Sequence, residues 1–364
     1  MDAQHFTPTP EQGASEQITD QATEQVSGQT TEQVTEQATE QPAGQTAWQP
    51  AGQTAESSEA NKKYPVLTIR RTGRFYSWTC IAAQLGATAI YFLIALFAQL
   101  MEPETANVVL FYANFSTQLV LAGAVVVFLV KFRVTLPEVG LRKAKPIPCI
   151  IGVLFACGAV FVSSFVEMFF SAFLGLIGYQ TSSVITDIPM DGGLVFLALF
   201  LIAVMPAIFE ELIFRGIILE STKKLGTLQA CLINGFLFSL FHCNPSQTGY
   251  TFVLGAVFAF VAIRTGSVIP SMIVHFLNNG YSVILMYFGI YEIPALAGFI
   301  ILGVSFVIFG LGLFYFLKKN TTGNELPALN QRPFWKGATG GIIFNGVLWV
   351  LVLINGIVLN FTSM

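Results

Sequence analysis

From Phe75 onward the chain is a succession of apolar segments, each close to the length that crosses the ~30 Å hydrocarbon core of a bilayer. They lie at about 75–100, 106–131, 147–177, 193–218, 228–243, 250–264, 268–290, 296–317 and 339–360, the fifth and sixth being short. Composition agrees, with 54% of 364 residues hydrophobic and 11% charged. The expected fold is an all-α polytopic membrane helix bundle with about nine transmembrane helices.

The basic residues test this division, because Lys and Arg concentrate in cytoplasmic loops. With the N-terminus inside, Lys62, Lys63, Arg70, Arg71 and Arg74 precede the first span, and Lys131, Arg133, Arg142, Lys143 and Lys145 fall between the second and third. Lys223 and Lys224 follow the fourth, Arg264 the sixth, and Lys318, Lys319, Arg332 and Lys336 lie between the eighth and ninth. Glu102, Glu104, Asp187, Asp191 and Glu292 occupy the opposite loops. A miscount by one span scrambles this alternation. The expectation is a multi-pass protein of a bacterial plasma membrane, N-terminus cytoplasmic and C-terminus outside.

Residues 1–62 differ in kind. They hold ten of the 21 acidic residues, all before Lys62, recurring Thr-Glu-Gln, and a duplication of Gln-Pro-Ala-Gly-Gln-Thr-Ala at 41–47 and 49–55. Such a segment buries too little apolar surface to offset its ordering entropy, so a disordered cytoplasmic tail is expected. It has neither the basic n-region nor the apolar h-region of a signal peptide, so the first apolar segment should remain as a helix. The rest divides into 63–192 with three helices, a core at 193–290, and 291–364 with two more. Cys80, Cys149, Cys157, Cys231 and Cys243 are scattered through apolar surroundings and read as small core hydrophobes.

Charged residues inside spans are few: Glu167 in the third, and Glu210, Glu211 and Arg215 in the fourth. A charge near the bilayer centre costs from about 2.5 to more than 10 kcal/mol, so such groups face protein or water. Glu211 and Arg215, four apart, share a helical face and can pair, whereas Glu210 points about 100° away with no local partner. His242 follows Phe238 by four residues, and Asn279 follows His275 by four. A carboxylate with an imidazole polarises water by general base action, and an imidazole with an amide N–H stabilises an oxyanion. The same Glu210, His242 and His275 are also donors of the kind that hold Zn2+ with an open position for water. Glu167 fits neither arrangement and reads as structural or cavity-lining.

Glu210-Glu211-x-x-x-Arg215, Phe238-x-x-x-His242 and His275-x-x-x-Asn279, in that order on apolar segments, resemble the three motifs of the CAAX protease and bacteriocin-processing family of intramembrane endopeptidases. The resemblance covers about residues 193–290 and includes Phe214-Arg-Gly216 and Thr265-Gly-Ser-Val-Ile-Pro270. It implies a catalytic core on helices four to seven. It also implies that Glu210 with His242 activates water, His275 with Asn279 forms the oxyanion hole, and Glu211 with Arg215 supports the site. The family is often described as metallopeptidase, and a metal-free glutamate mechanism fits the same residues. The implied substrate is a membrane-associated or prenylated protein or a peptide precursor, with membrane lipid around the bundle and no nucleic acid partner. A non-catalytic scaffold or bacteriocin self-immunity protein binding a peptide in the same cavity is the alternative. Against transport, there is no evident inverted repeat and, besides the two glutamates of the motif, no further membrane acid beyond Glu167 for ion coupling.

Depth raises one tension. At about 1.5 Å per residue, Glu210 and His275 sit roughly 10–13 Å from the cytoplasmic ends of their segments, while His242 lies deeper.

Overall fold

Each of the nine apolar segments is a helix, and no strand occurs among the described residues. The computed structural model describes residues 67–179, 189–290, 292–319 and 331–362, all within the unit Lys62–Met364. The tail expected to be disordered, Lys62, Lys63 and Asp187 lie outside those residues. In chain order the helices are α1 Ile69–Ala98, α2 Pro103–Phe132, α3 Pro146–Leu176, α4 Leu194–Leu225, α5 Thr227–Phe241, α6 Thr248–Thr265, α7 Ile269–Tyr287, α8 Ala295–Lys318 and α9 Arg332–Thr362. Proline opens α2 and α3, where its missing N–H falls among groups without an intrahelical partner.

Seven runs are long and apolar enough to cross a membrane: α1, α2, α3, α4, the stretch Pro245–Thr265 that contains α6, α8 and α9. The chain is an integral membrane protein. The two remaining helices depart from the expected nine spans for different reasons: α5 has 15 residues, and α7 carries Ser271, His275, Asn278, Asn279 and Ser282 along its length. Large apolar side chains such as Phe92, Val130, Phe169 and Phe299 are exposed, as surfaces that meet lipid require.

The outer helices pack through small residues, which let backbones approach where lipid tails compete for apolar contact. α1 lies along α9. A Cβ on Gly73 would sit 2.3 Å from the Phe334 carbonyl oxygen, and one on Gly337 2.7 Å from that of Arg70. Ser77 Oγ donates to the Gly337 carbonyl at 2.8 Å and accepts from the Gly341 N–H at 2.9 Å. On the other side α3 packs on α8 and α6, with Phe155 and Phe309 stacked at 4.9 Å.

The central helix, α4, runs seven residues past the expected limit at 218. Hydropathy stops at Ile218, but the polar residues beyond it find partners. Ser221 Oγ is 2.6 Å from Thr72 Oγ1 on α1, Asn234 on α5 donates to Thr222 Oγ1, and Glu220 pairs with Arg142 and Lys223. Gly226 then turns the chain at φ +105°, a conformation only glycine adopts without strain, and α5 returns beside α4.

Candidate catalytic site

Two π-helical stretches, Leu199–Val204 and Leu212–Ile218, flank the α-helical turn Met205–Glu211 that carries both glutamates. Pro206 explains the first. Its ring clashes with the carbonyl of residue 202 and it has no N–H to give that carbonyl, so the helix widens there. The Ile202 oxygen instead accepts from Asn279 Nδ2 of α7 at 2.9 Å. Asn279 thereby links α7 to α4. Its Oδ1 accepts from Asn278 Nδ2 at 3.0 Å, and Asn278 Oδ1 accepts from the Tyr250 hydroxyl in a short hydrogen bond.

Glu211 and Arg215 are both fully buried and pair at 2.8 Å through Oε1 and Nη1. Charges taken out of water need good geometry and further partners to offset their lost hydration. Arg215 Nη2 donates to the Gly255 carbonyl of α6 at 3.3 Å, and the guanidinium lies 4.3 Å from the Phe238 ring and 5.2 Å from that of Phe258. The same Glu211 oxygen meets His275 Nδ1 at 2.9 Å. A carboxylate held by an arginine is an acceptor, so Nδ1 carries the hydrogen, and in the neutral ring Nε2 is a bare acceptor. Nε2 is 3.9 Å from Glu210 Oε2.

His242 stands just past the end of α5. Its Nδ1 is 2.8 Å from the Phe238 carbonyl, which can only accept, so in the neutral ring Nε2 is again the bare nitrogen. The Phe238 ring meets the imidazole edge-on at 4.7 Å. The residue four positions back thus meets the imidazole with its backbone as well as its ring. Glu210 stands sixteen residues before Gly226 and His242 sixteen after it, so the α4–α5 hairpin brings them level, and the two groups interact electrostatically. The depth mismatch came from ending the fourth segment at 218. His275 is only six residues into α7, yet buried, because the chain before α3 covers that end: Gly140 accepts from the Val268 N–H at 2.9 Å, and Ser267 Oγ donates to the Arg142 carbonyl at 2.6 Å.

Of the expected residues, Glu210, Glu211, Arg215 and His275 therefore form one connected cluster, with His242 in electrostatic reach of Glu210. Asn279 is committed to Ile202 and Asn278, with one amide N–H left over. As metal ligands the residues fit poorly, since no group of three His, Cys, Asp or Glu side chains among the described residues is placed to hold an ion. Glu167 is engaged elsewhere: its Oε2 accepts from the Tyr250 N–H at 3.1 Å, in the first turn of α6, where amides lack intrahelical partners. Its Oε1 accepts from Ser171 Oγ at 2.9 Å.

One neighbour of Glu210 has no signature in the spacing of charged residues. Gln118, on α2, donates from Nε2 to Glu210 Oε1 at 3.0 Å. The signal that points to it is its place as the one amide in the apolar run Ser116–Phe132, since such a group needs a partner inside the bundle.

Comparison with known proteins bears on the same stretch. Residues 192–281 match the family described as type II CAAX prenyl endopeptidase Rce1-like, from the residue before Gly193 at the head of α4 to Tyr281 within α7. No curated protein and no solved structure matches the chain. Through residues 192–281, the segment that carries both glutamates, both imidazoles and Asn279, this membrane protein is similar to the Rce1-like family of CAAX endopeptidases.

Proposed function

We propose that the chain hydrolyses a peptide bond of a prenylated, CAAX-type protein at the membrane, using water activated by Glu210. The observation that supports this most is the 3.9 Å gap between Glu210 Oε2 and His275 Nε2. It is too wide for a direct hydrogen bond and suits a water that gives one O–H to each acceptor. That leaves a lone pair of the water oxygen for the scissile carbonyl carbon. As the C–O bond forms, Glu210 takes the proton; as the C–N bond breaks, it returns that proton to the leaving nitrogen.

His275 is oriented for this by Glu211, in the order carboxylate, Nδ1–H, bare Nε2 that also serves a serine-protease histidine. The oxyanion-hole role expected of His275 requires a ring protonated on both nitrogens. The free N–H of Asn279 is a donor available without that change. His242, with its bare Nε2, is a second acceptor on the α5 side. No step runs through a metal. The basic loops support an orientation with the N-terminus in the cytoplasm and the C-terminus outside, in which the substrate reaches the site from the cytoplasmic side or from the bilayer.

Cleavage of a prenylated CAAX peptide by the purified full-length protein is the test. Glu210→Gln is expected to abolish turnover while the folded protein accumulates normally. Near-normal turnover by that variant would overturn the mechanism.

A further inference from the structure

We propose that Gln118 is a positioning residue for Glu210, so that the working site includes a helix outside the segment shared with the Rce1-like family. The inference rests on the reading of Glu210 as the base. Gln118 sits on α2, far from residues 192–281 in sequence, and is 8% exposed. Its amide nitrogen binds Glu210 Oε1 at 3.0 Å, and its amide oxygen is buried without a hydrogen-bond partner. An ionised carboxylate only accepts, so the amide must turn its NH2 toward Glu210 and its oxygen away.

Two structural features bring the residues together. A break at Asn114 and Phe115 divides α2 into Pro103–Ala113 and Ser116–Phe132, and Ser116 Oγ ties the second part to the Ala87 carbonyl of α1 at 3.2 Å. Gln118 is then fourteen residues from the basic end of α2 at Phe132, and Glu210 fifteen from that of α4 at Leu225, about 21–22 Å in each case. The chemistry follows from which oxygen is held. Gln118 occupies Oε1, so Oε2 is the oxygen left facing His275, and the carboxylate cannot rotate its two oxygens freely between the roles.

The experiment compares wild type, Glu210→Gln, Gln118→Leu and Gln118→Glu as purified full-length proteins, with a prenylated CAAX peptide. Infrared spectra are read for the carboxyl band that Glu210→Gln removes. Loss of a hydrogen bond to a carboxylate that acts in the transition state should lower kcat about tenfold with KM within about twofold. The Glu210 band should move in Gln118→Leu. Gln118→Glu, which keeps the shape but replaces a donor by an acceptor, should be the less active of the two, and it carries the same test if the leucine variant does not fold. Wild-type kcat and an unmoved band in Gln118→Leu, with Glu210→Gln inactive, would overturn the positioning role and leave the base in place. A rise in KM with an unmoved band would reduce Gln118 to packing and overturn the proposal equally. Normal cleavage by Glu210→Gln would instead remove the base itself, and the role of Gln118 with it.

Discussion

Two adjacent glutamates have opposite surroundings, and substitution should separate them. Glu210 has one amide partner and an imidazole beyond hydrogen-bond distance, so Glu210→Gln leaves no charge stranded. Glu211 holds Arg215 and His275 together at zero exposure. Glu211→Gln leaves a buried guanidinium without its counter-charge, an expected loss of about 3–5 kcal/mol. Thermal unfolding in detergent should therefore show a large fall for Glu211→Gln and little for Glu210→Gln; equal falls would contradict this division. Asn279 gives a second contrast. Asn279→Ala exposes the Ile202 carbonyl to an apolar surrounding and should cost about 1–3 kcal/mol. Pro206→Ala returns a backbone donor to that same carbonyl, so the double variant should lose less than the sum of the two. Strict additivity would show that the Ile202 bond is incidental. At this scale the sequence was legible wherever a partner lies four residues away on one helix, as for Glu211 with Arg215. Gln118 and the Ile202 carbonyl were not, because their partners arrive from other helices and obey no spacing.

Helices were legible from apolar length, and their ends were not. α4 continues to Leu225 because Ser221 and Thr222 find hydroxyl and amide partners on α1 and α5, contacts that hydropathy cannot register. Those seven residues decide whether Glu210 and His242 stand level. The α1–α9 pair shows the reverse case, in which a residue type is informative only once its neighbour is known. Gly337 is one of 32 glycines, and its role appears in the 2.7 Å from its would-be Cβ to the Arg70 carbonyl oxygen. Gly337→Val should push α9 from α1 and lower the apparent melting temperature by several degrees, measured by fluorescence-detected size exclusion after heating. An unchanged melting temperature would mean that the two helices separate without cost.

As a whole, the molecule distributes its site more widely than the shared segment. Residues 192–281 carry the glutamates, imidazoles and Asn279, whereas Gln118 lies on α2, Glu167 caps α6 from α3, and the 137–142 stretch covers the start of α7. A fragment limited to residues 190–290 is accordingly expected to show no cleavage of a prenylated CAAX peptide; full activity of that fragment in detergent would show that the surrounding helices are dispensable.

The length of α5 has a consequence for the bilayer itself. Its 15 residues reach about 22 Å, against a hydrocarbon thickness of about 30 Å, and the loop beyond it is fixed at that height by the Trp349 indole donating to Thr248 Oγ1 at 2.8 Å. Leu228, Leu232 and Phe236 form the outward stripe of this helix, so the acyl chains beside it meet a hydrophobic wall shorter than themselves. Mismatch of this kind is relieved by thinning of the adjacent leaflet. Headgroups and their water then dip toward His242, and the oil is thinned on this flank of the bundle.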